Sequence, residues 1–250
     1  MVNFFSADTS YGQRAKLGLI VLQTNTVNEA EWQAMVPDGV TLHVTRMPLH
    51  EDTSSDEGKK ALYTDIEQAT SDLAAAGLSA IAYGCTAGSM VEPLDQLTDF
   101  MSSISGVPAV TTAGSIVGAL QALNATKISI ATPYHDALND HEVDFLSGNN
   151  VATLKIAGLG IGAGGSHEYI RIAQTPAEKI KSHVLSVDHP DAQAVLISCT
   201  DFPTLNLITE LEEALGKPVI TSNQATLWAA LRAAGIDDRL ENCGLLLKSH

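Results

Sequence analysis

The chain has 250 residues, 45% of them hydrophobic, with a mean hydropathy of +0.09 and a formal net charge of −15. That length can bury a substantial core in one large domain or two small ones. No apolar run approaches the roughly 18 residues of a membrane span, and so acidic a chain lacks the basic footprint that nucleic-acid binding requires.

The polar residues 1–14 contain no apolar signal-peptide stretch, so a cytoplasmic location is expected. Short β-branched runs then alternate with alanine-rich helical stretches. In chain order, the first half reads as strands 17–22 and 41–46, a polar turn at 52–58, helix 56–76, strand 80–83, helix 92–104, strand 109–111 and helix 114–123. The second half reads as strands 128–131 and 152–156, a glycine-rich loop at 158–165, helix 176–187, strand 194–197, helix 205–215, strand 219–221 and helix 224–234. Strands alternating with helices predict parallel βαβ units, hence an α/β fold with helices on both sheet faces.

An internal repeat sharpens this expectation. Ser79-Ala-Ile-Ala-Tyr-Gly-Cys85-Thr86 is followed by a helix, Gly106-Val-Pro108, the strand to Thr111, and another helix. Ala194-Val-Leu-Ile-Ser-Cys199-Thr200 is followed by a helix, Gly216-Lys-Pro218, the strand to Thr221, and another helix. Cys199 follows Cys85 by 114 residues, too long a period for a solenoid. The pattern predicts two lobes related by a pseudo-twofold axis, each a short, mainly parallel sheet flanked by helices, with the active site in the cleft between them. The expected division gives residues 1–113 with 224–250 to the first lobe and 114–223 to the second.

Cys85 and Cys199 each end an apolar strand and precede a helix. Ligands of open α/β sheets bind at the carboxyl ends of strands. A thiol beside a helix N-terminus is expected to have a lowered pKa, and the N–H groups there hold carboxylates without basic side chains. A buried packing cysteine is the alternative for either residue alone; two in matched positions favour chemistry. Cys243 has no such setting and reads as structural. Thr86 and Thr200 add hydroxyl donors, and Ala87 and Asp201 the backbone of the following turn. Asn25 and Tyr134 also fall at strand carboxyl ends, where an amide or a phenol serves as an oxyanion donor; a turn-forming Asn and a packing Tyr are the alternatives. His135, Asp136 and His141 match no metal-ligand spacing and read as a solvated helix start. Gly160–Gly165 is not a GxGxxG loop, so neither metal nor nucleotide cofactor is expected.

The segments Leu19-Ile-Val-Leu-Gln-Thr-Asn-Thr26, Tyr83-Gly-Cys-Thr-Ala-Gly-Ser89, Ala131-Thr-Pro-Tyr134 and Ser198-Cys-Thr200 resemble the aspartate/glutamate racemase superfamily. Within it they are most similar to the branch of maleate cis-trans isomerases and arylmalonate decarboxylases, which includes ectoine-utilization isomerase-like proteins. The resemblance covers nearly the whole chain. It implies that Cys85 is the nucleophile, that Cys199 assists from the opposite face, and that Asn25 and Tyr134 contact substrate. Decarboxylases of this branch carry Gly where Cys85 stands, which points away from decarboxylation. Maleate isomerases carry a further Asn where this chain has Gly162-Ala-Gly-Gly-Ser-His-Glu168, and Asp201-Phe-Pro203 is closer to the racemases.

The expected activity is therefore a cofactor-independent isomerisation of a small, maleate-like carboxylate through thiolate addition by Cys85. Racemisation of an aspartate- or glutamate-type amino acid or of a hydantoin, by two-base proton transfer between Cys85 and Cys199, is the alternative; a catalytically silent carboxylate-binding protein is a third reading. A homo-oligomer is expected.

Overall fold

The computed structural model describes residues 9–50, 55–91 and 93–250. Residues 1–8 of the polar N-terminal stretch, residues 52–54 of the expected turn and the first residue of the expected 92–104 helix lie outside the described residues.

The first half of the chain forms β1 (Ala15–Leu22), α1 (Asn28–Met35), β2 (Val40–Met47), α2 (Asp56–Ala74), β3 (Ala80–Gly84), α3 (Gln96–Ser105), β4 (Ala109–Thr111) and α4 (Thr112–Ala122). The second half forms β5 (Lys127–Tyr134), α5 (Asp136–Gly148), β6 (Ala152–Ile161), α6 (Ala177–Ser186), β7 (Ala194–Ile197), α7 (Ile208–Leu215), β8 (Val219–Thr221), α8 (Ser222–Ala233) and α9 (Gly244–Ser249). All strand pairs are parallel, in the orders β2-β1-β3-β4 and β6-β5-β7-β8. The two sheets are thus wound alike, as the repeat predicts. In each, the winding reverses between the two central strands. That switch point opens a crevice at the strands' carboxyl ends, flanked by β1 and β3 in one sheet and by β5 and β7 in the other.

The two sheets exchange their last helices. Thr111 and Thr221 cap α4 and α8, each accepting from the backbone N–H three residues on, and Gln224 completes a capping box at Thr221. Having left β4 of the first sheet, α4 packs Ile116, Val117 and Leu120 against Ile128, Ile130, Leu196 and Ile220 of the second. Having left β8 of the second sheet, α8 packs Leu227, Ala230 and Leu231 against Leu17, Leu19, Ala80 and Ala82 of the first. The helices also meet each other, with Thr226 Oγ1 donating to Thr112 Oγ1 at 3.1 Å. The outer faces are covered by α2 and α3 on one sheet, through Leu62, Ile66, Leu97 and Met101, and by α6 and α7 on the other, through Ile180, Val184, Ile208 and Leu211.

Two helices escape the sequence reading, and a third, α5, is expected only at its start. α1 and α9 span only 8 and 6 residues, too few to display a period. α5 has only Phe145 and Leu146 as buried apolar anchors, and no side-chain cap. Two strands run longer than their β-branched cores: β5 continues through Pro133 to Tyr134, so Tyr134 ends the strand instead of following it, and β6 takes in Gly158–Ile161 of the expected loop. Gly158 is needed there, because a Cβ would lie 2.1 Å from the Tyr134 carbonyl oxygen across the β5–β6 pair.

Candidate active site

Cys85 leaves β3 and Cys199 follows β7, so each lies at a switch point, and both line one cavity of about 170 Å³. Asn25, Thr86, Ala87, Tyr134, Thr200 and Asp201 line it too. Every residue singled out in the sequence as a candidate is thus brought to one place. Among the described residues, no Lys or Arg lines the cavity. An anion bound here must rely on N–H and O–H donors.

The two sulfurs have matched partners. Cys85 Sγ accepts from the Gly88 N–H at 3.3 Å and from the Tyr83 hydroxyl. Cys199 Sγ accepts from the Asp201 N–H at 3.4 Å and from the Tyr134 hydroxyl. Tyr83 was not among the sequence candidates, yet the signal is present: residues two apart on a strand share a face, which directs Tyr83 and Cys85 the same way. Tyr134 is supplied by the neighbouring strand, which spacing alone does not reveal.

The expected lowering of the thiol pKa is not found. Burial pushes both thiols up, and Cys199 reaches about 12. The physical reason is local geometry. Cys85 is followed by a single 3₁₀ turn, Ala87–Ser89, and Cys199 by a turn and a second 3₁₀ segment before α7 begins. Neither cysteine runs directly into an α-helix. One N–H and one O–H each offset only part of the desolvation. Cys199 is pushed up further by the Asp201 carboxylate and by Cys85. Its backbone, at φ 130°, is in a region that L residues seldom occupy, so the turn holds Cys199 under strain.

The threonines do less toward a ligand than expected. Thr200 Oγ1 donates its proton to the Gly84 carbonyl at 3.1 Å and accepts from Asn25 Nδ2, also at 3.1 Å. Thr86 Oγ1 shares a 2.9 Å hydrogen bond with Ser222 Oγ, which accepts from the Cys199 N–H at 2.9 Å. Both hydroxyls therefore tie the cysteine turns together across the cleft. Asn25 has two tasks. Its Oδ1 accepts from the N–H groups of Val27 and Asn28 and so starts α1, while its Nδ2 bonds Thr200 and keeps a second hydrogen for the cavity. The Asp201 carboxylate accepts from the Thr26 N–H at 2.9 Å, and burial pushes it up to about 6. From behind, the buried Glu31 of α1 accepts from the N–H groups of Thr204 and Leu205 and from Asn223 Nδ2, fixing the chain beyond Cys199.

The remaining wall was not foreseen. Leu22, Leu49, Leu62, Leu138 and Ile172 make it largely apolar, and Tyr169, His50 and His141 add polar edges. His50 is held by Asp65, Nε2 to Oδ2 at 2.8 Å. His141 reaches the cavity from α5, whose start at Asp136 agrees with the helix start read in the sequence. The Gly162–Glu168 loop closes on itself, with Glu168 Oε2 accepting from the N–H groups of Gly162 and Gly164, and hands the wall to Tyr169 just beyond it.

Two like-wound α/β lobes that present one thiol each to a shared cavity define a two-thiol class of α/β proteins. Within that class, the chain belongs to the arylmalonate decarboxylase family, whose model matches residues 17–247. It is 26% identical over 246 residues to a maleate isomerase of Nocardia farcinica, covering 93% of this chain and 95% of that protein. It is 30% identical over 139 residues to an arylmalonate decarboxylase of Bordetella bronchiseptica, covering 56% of this chain and 57% of that one. Among solved structures it is similar to a cysteine-to-serine mutant of Nocardia farcinica maleate cis-trans isomerase with a covalently bound succinylcysteine intermediate, at a TM-score of 0.84 and 24% identity over 94% of this chain and 99% of that one. A structure of arylmalonate decarboxylase is similar at a TM-score of 0.80.

Proposed function

We propose that this protein is an isomerase that interconverts the cis and trans forms of a small unsaturated dicarboxylate of the maleate class, with Cys85 as nucleophile and Cys199 as proton donor. The observation that carries the reading is the pair of thiols on one cavity, alike in their hydrogen bonds but unequal in their surroundings. Only Cys199 has a carboxylate, Asp201, raising its proton affinity. Full-length relatives that are maleate isomerases support it, as does the succinylcysteine adduct in a similarly folded one.

The steps follow from the two proton affinities. Cys85 reacts as the thiolate, its proton having passed to solvent. Its sulfur forms a bond to one olefinic carbon, the π pair moves toward the adjacent carboxylate, and the other olefinic carbon takes the proton of Cys199. The product is a succinyl thioether on Cys85 and a thiolate at Cys199. The former double bond is now single and rotates. Cys199 then recovers a proton from the same carbon, the double bond re-forms in the trans geometry, and Cys85 leaves as thiolate. Covalent addition divides one forbidding rotation into steps of lower barrier. Asn25 Nδ2 and the N–H groups of the two cysteine turns act as donors to the carboxylate on which charge develops.

Racemisation is the second reading. The matched N–H and O–H partners of the sulfurs and the racemase-like Asp201-Phe202-Pro203 favour it. Incubation with maleate, aspartate, glutamate and 5-substituted hydantoins in D2O, followed by NMR, separates the readings. Formation of the trans diacid is expected. Deuterium at the α-carbon of an amino acid or hydantoin, without olefin conversion, replaces the isomerase by the racemase. Inertness toward all four, with thiols unreactive to a substrate-like electrophile, leaves a carboxylate-binding protein.

A further inference from the structure

The two half-sites are least alike directly behind the cysteines. Asn28, the first residue of α1, is fully buried against Gly84, the residue before Cys85, with both amide atoms unpartnered. On the other side stands an acid. Glu142 of α5 is 1% exposed, sits by Ser198, the residue before Cys199, and leaves Oε2 without a partner. Its field reaches Tyr134, whose hydroxyl holds Cys199 Sγ.

We propose that Glu142 is a positioning residue that adds to the inequality Asp201 creates between the two thiols, by placing a titratable charge behind the Tyr134–Cys199 pair where the Cys85 side has a neutral amide. A negative charge there opposes loss of a proton from the hydrogen-bonded pair and keeps Cys199 the proton donor. Asp201, in the turn after Cys199, is the other acid that acts on this thiol, and burial pushes it up to about 6. Packed against α5, β5 presents Tyr134, and the turn after β7 carries Ser198 and, held by Tyr134, Cys199. Lys155 of β6 and His183 of α6 are not among the groups that shift it, and the His183 ring donates to the Thr132 carbonyl at 3.0 Å. On α5 itself, His141 faces the cavity and Asp136, Asp140 and Asp144 leave Glu142 unperturbed. Burial pushes the carboxyl up to about 7, so both charge states exist near neutrality.

The role rests on the isomerase reading only for its consequence in turnover. The thiol itself can be read without substrate. In a Cys85→Ala/Cys243→Ala background, the rate of Cys199 alkylation by iodoacetamide is followed against pH. With Glu142 present, the profile is expected to show an inflection near 7 besides those of the thiol and of Asp201 near 6. Glu142→Gln should remove that inflection and speed alkylation at about pH 8 by roughly three- to tenfold. The same change in a Tyr134→Phe background should have little effect, because the coupling runs through the phenol. A profile without the inflection in the Glu142 protein, or an unchanged rate in Glu142→Gln, overturns the proposal. Because no turnover is measured, neither outcome depends on whether maleate is the substrate.

Discussion

At the scale of single residues, the distinctive feature is a pair of thiols whose burial works against their ionisation. Cys85 is 7% exposed and Cys199 is 8% exposed, so the difference between them comes from neighbours and not from depth. Because burial raises the Cys85 pKa, the thiolate fraction grows throughout the usable range, and kcat/KM should rise with pH between about 6 and 9. A flat profile would show that thiolate formation does not limit the reaction. Cys85→Ser should abolish turnover, since a hydroxyl with no activating base is a far weaker nucleophile. Cys199→Ser should retain slow turnover and accumulate an adduct on Cys85, visible by intact-mass measurement. Equal losses in the two variants, with exchange of one enantiomer's α-proton in each, would favour the racemase instead. Asn25→Ala should lower kcat/KM by about 2–4 kcal/mol of transition-state stabilisation. Since Asn25 also starts α1, its thermal unfolding must be compared in parallel; an intact fold with unchanged kinetics removes it from the site.

Among the elements, α1 bears on the site from behind. Through Glu31 it holds the chain that carries Cys199, although the two segments lie far apart in sequence. Burial raises the Glu31 carboxyl, while the Asn223 amide and the N–H groups of Leu205 and Thr204 draw it down. Glu31→Ala would leave those buried donors unsatisfied, at about 1–3 kcal/mol for a lost buried partner. The expected result is a lower denaturant midpoint with a disproportionate loss of activity, because the Thr204–Leu205 turn follows the cysteine directly. Unchanged activity in the folded variant would make Glu31 a stability element only. Much at this scale was legible in advance. The repeated order of strand, Cys-Thr, helix, Gly-x-Pro, strand and helix located β3, β4, β7, β8, α4 and α8 to within a few residues. The α1 helix was hidden because its cap comes from Asn25 three residues upstream and not from a Ser, Thr, Asp or Asn at its N-cap, which is Val27.

For the whole molecule, the buried acids set the response to pH. Folding raises Asp201 from 3.8 to about 6 and Glu142 from 4.5 to about 7, and it also raises Glu31 and Glu212. Between the unfolded and folded values the native state binds more protons than the unfolded chain, so stability falls as pH rises through that window. The loss begins above about pH 4, is nearly complete by about pH 8, and is added to by growing repulsion in a chain of net charge −15. Tm should therefore be higher near pH 5.5 than near pH 8, and Asp201→Asn should flatten the difference. A Tm that climbs from pH 5.5 to 8 contradicts this. Glu168 and Asp238, which folding holds low, act only under more acidic conditions.

The sequence by itself determined the α/β class, the twofold repeat and the meeting of Cys85 with Cys199, because strand periodicity, breaker residues and the repeat are local signals that survive without contacts. It also carried Asn25 and Tyr134, since the carboxyl end of a parallel strand is a site wherever the sheet order reverses. The tertiary structure alone decided the proton affinities. Desolvation depends on everything packed around a sulfur, and here it outweighs the one N–H and the one O–H that each sulfur accepts. It also decided which hydroxyls are spent between lobes, that Tyr83 and Tyr134 each serve one thiol, and that an amide stands behind one cysteine and an acid behind the other. The hydroxyl bonds join residues more than a hundred positions apart, and the others, save Tyr83 beside Cys85, join different elements, so no spacing along the chain encodes them.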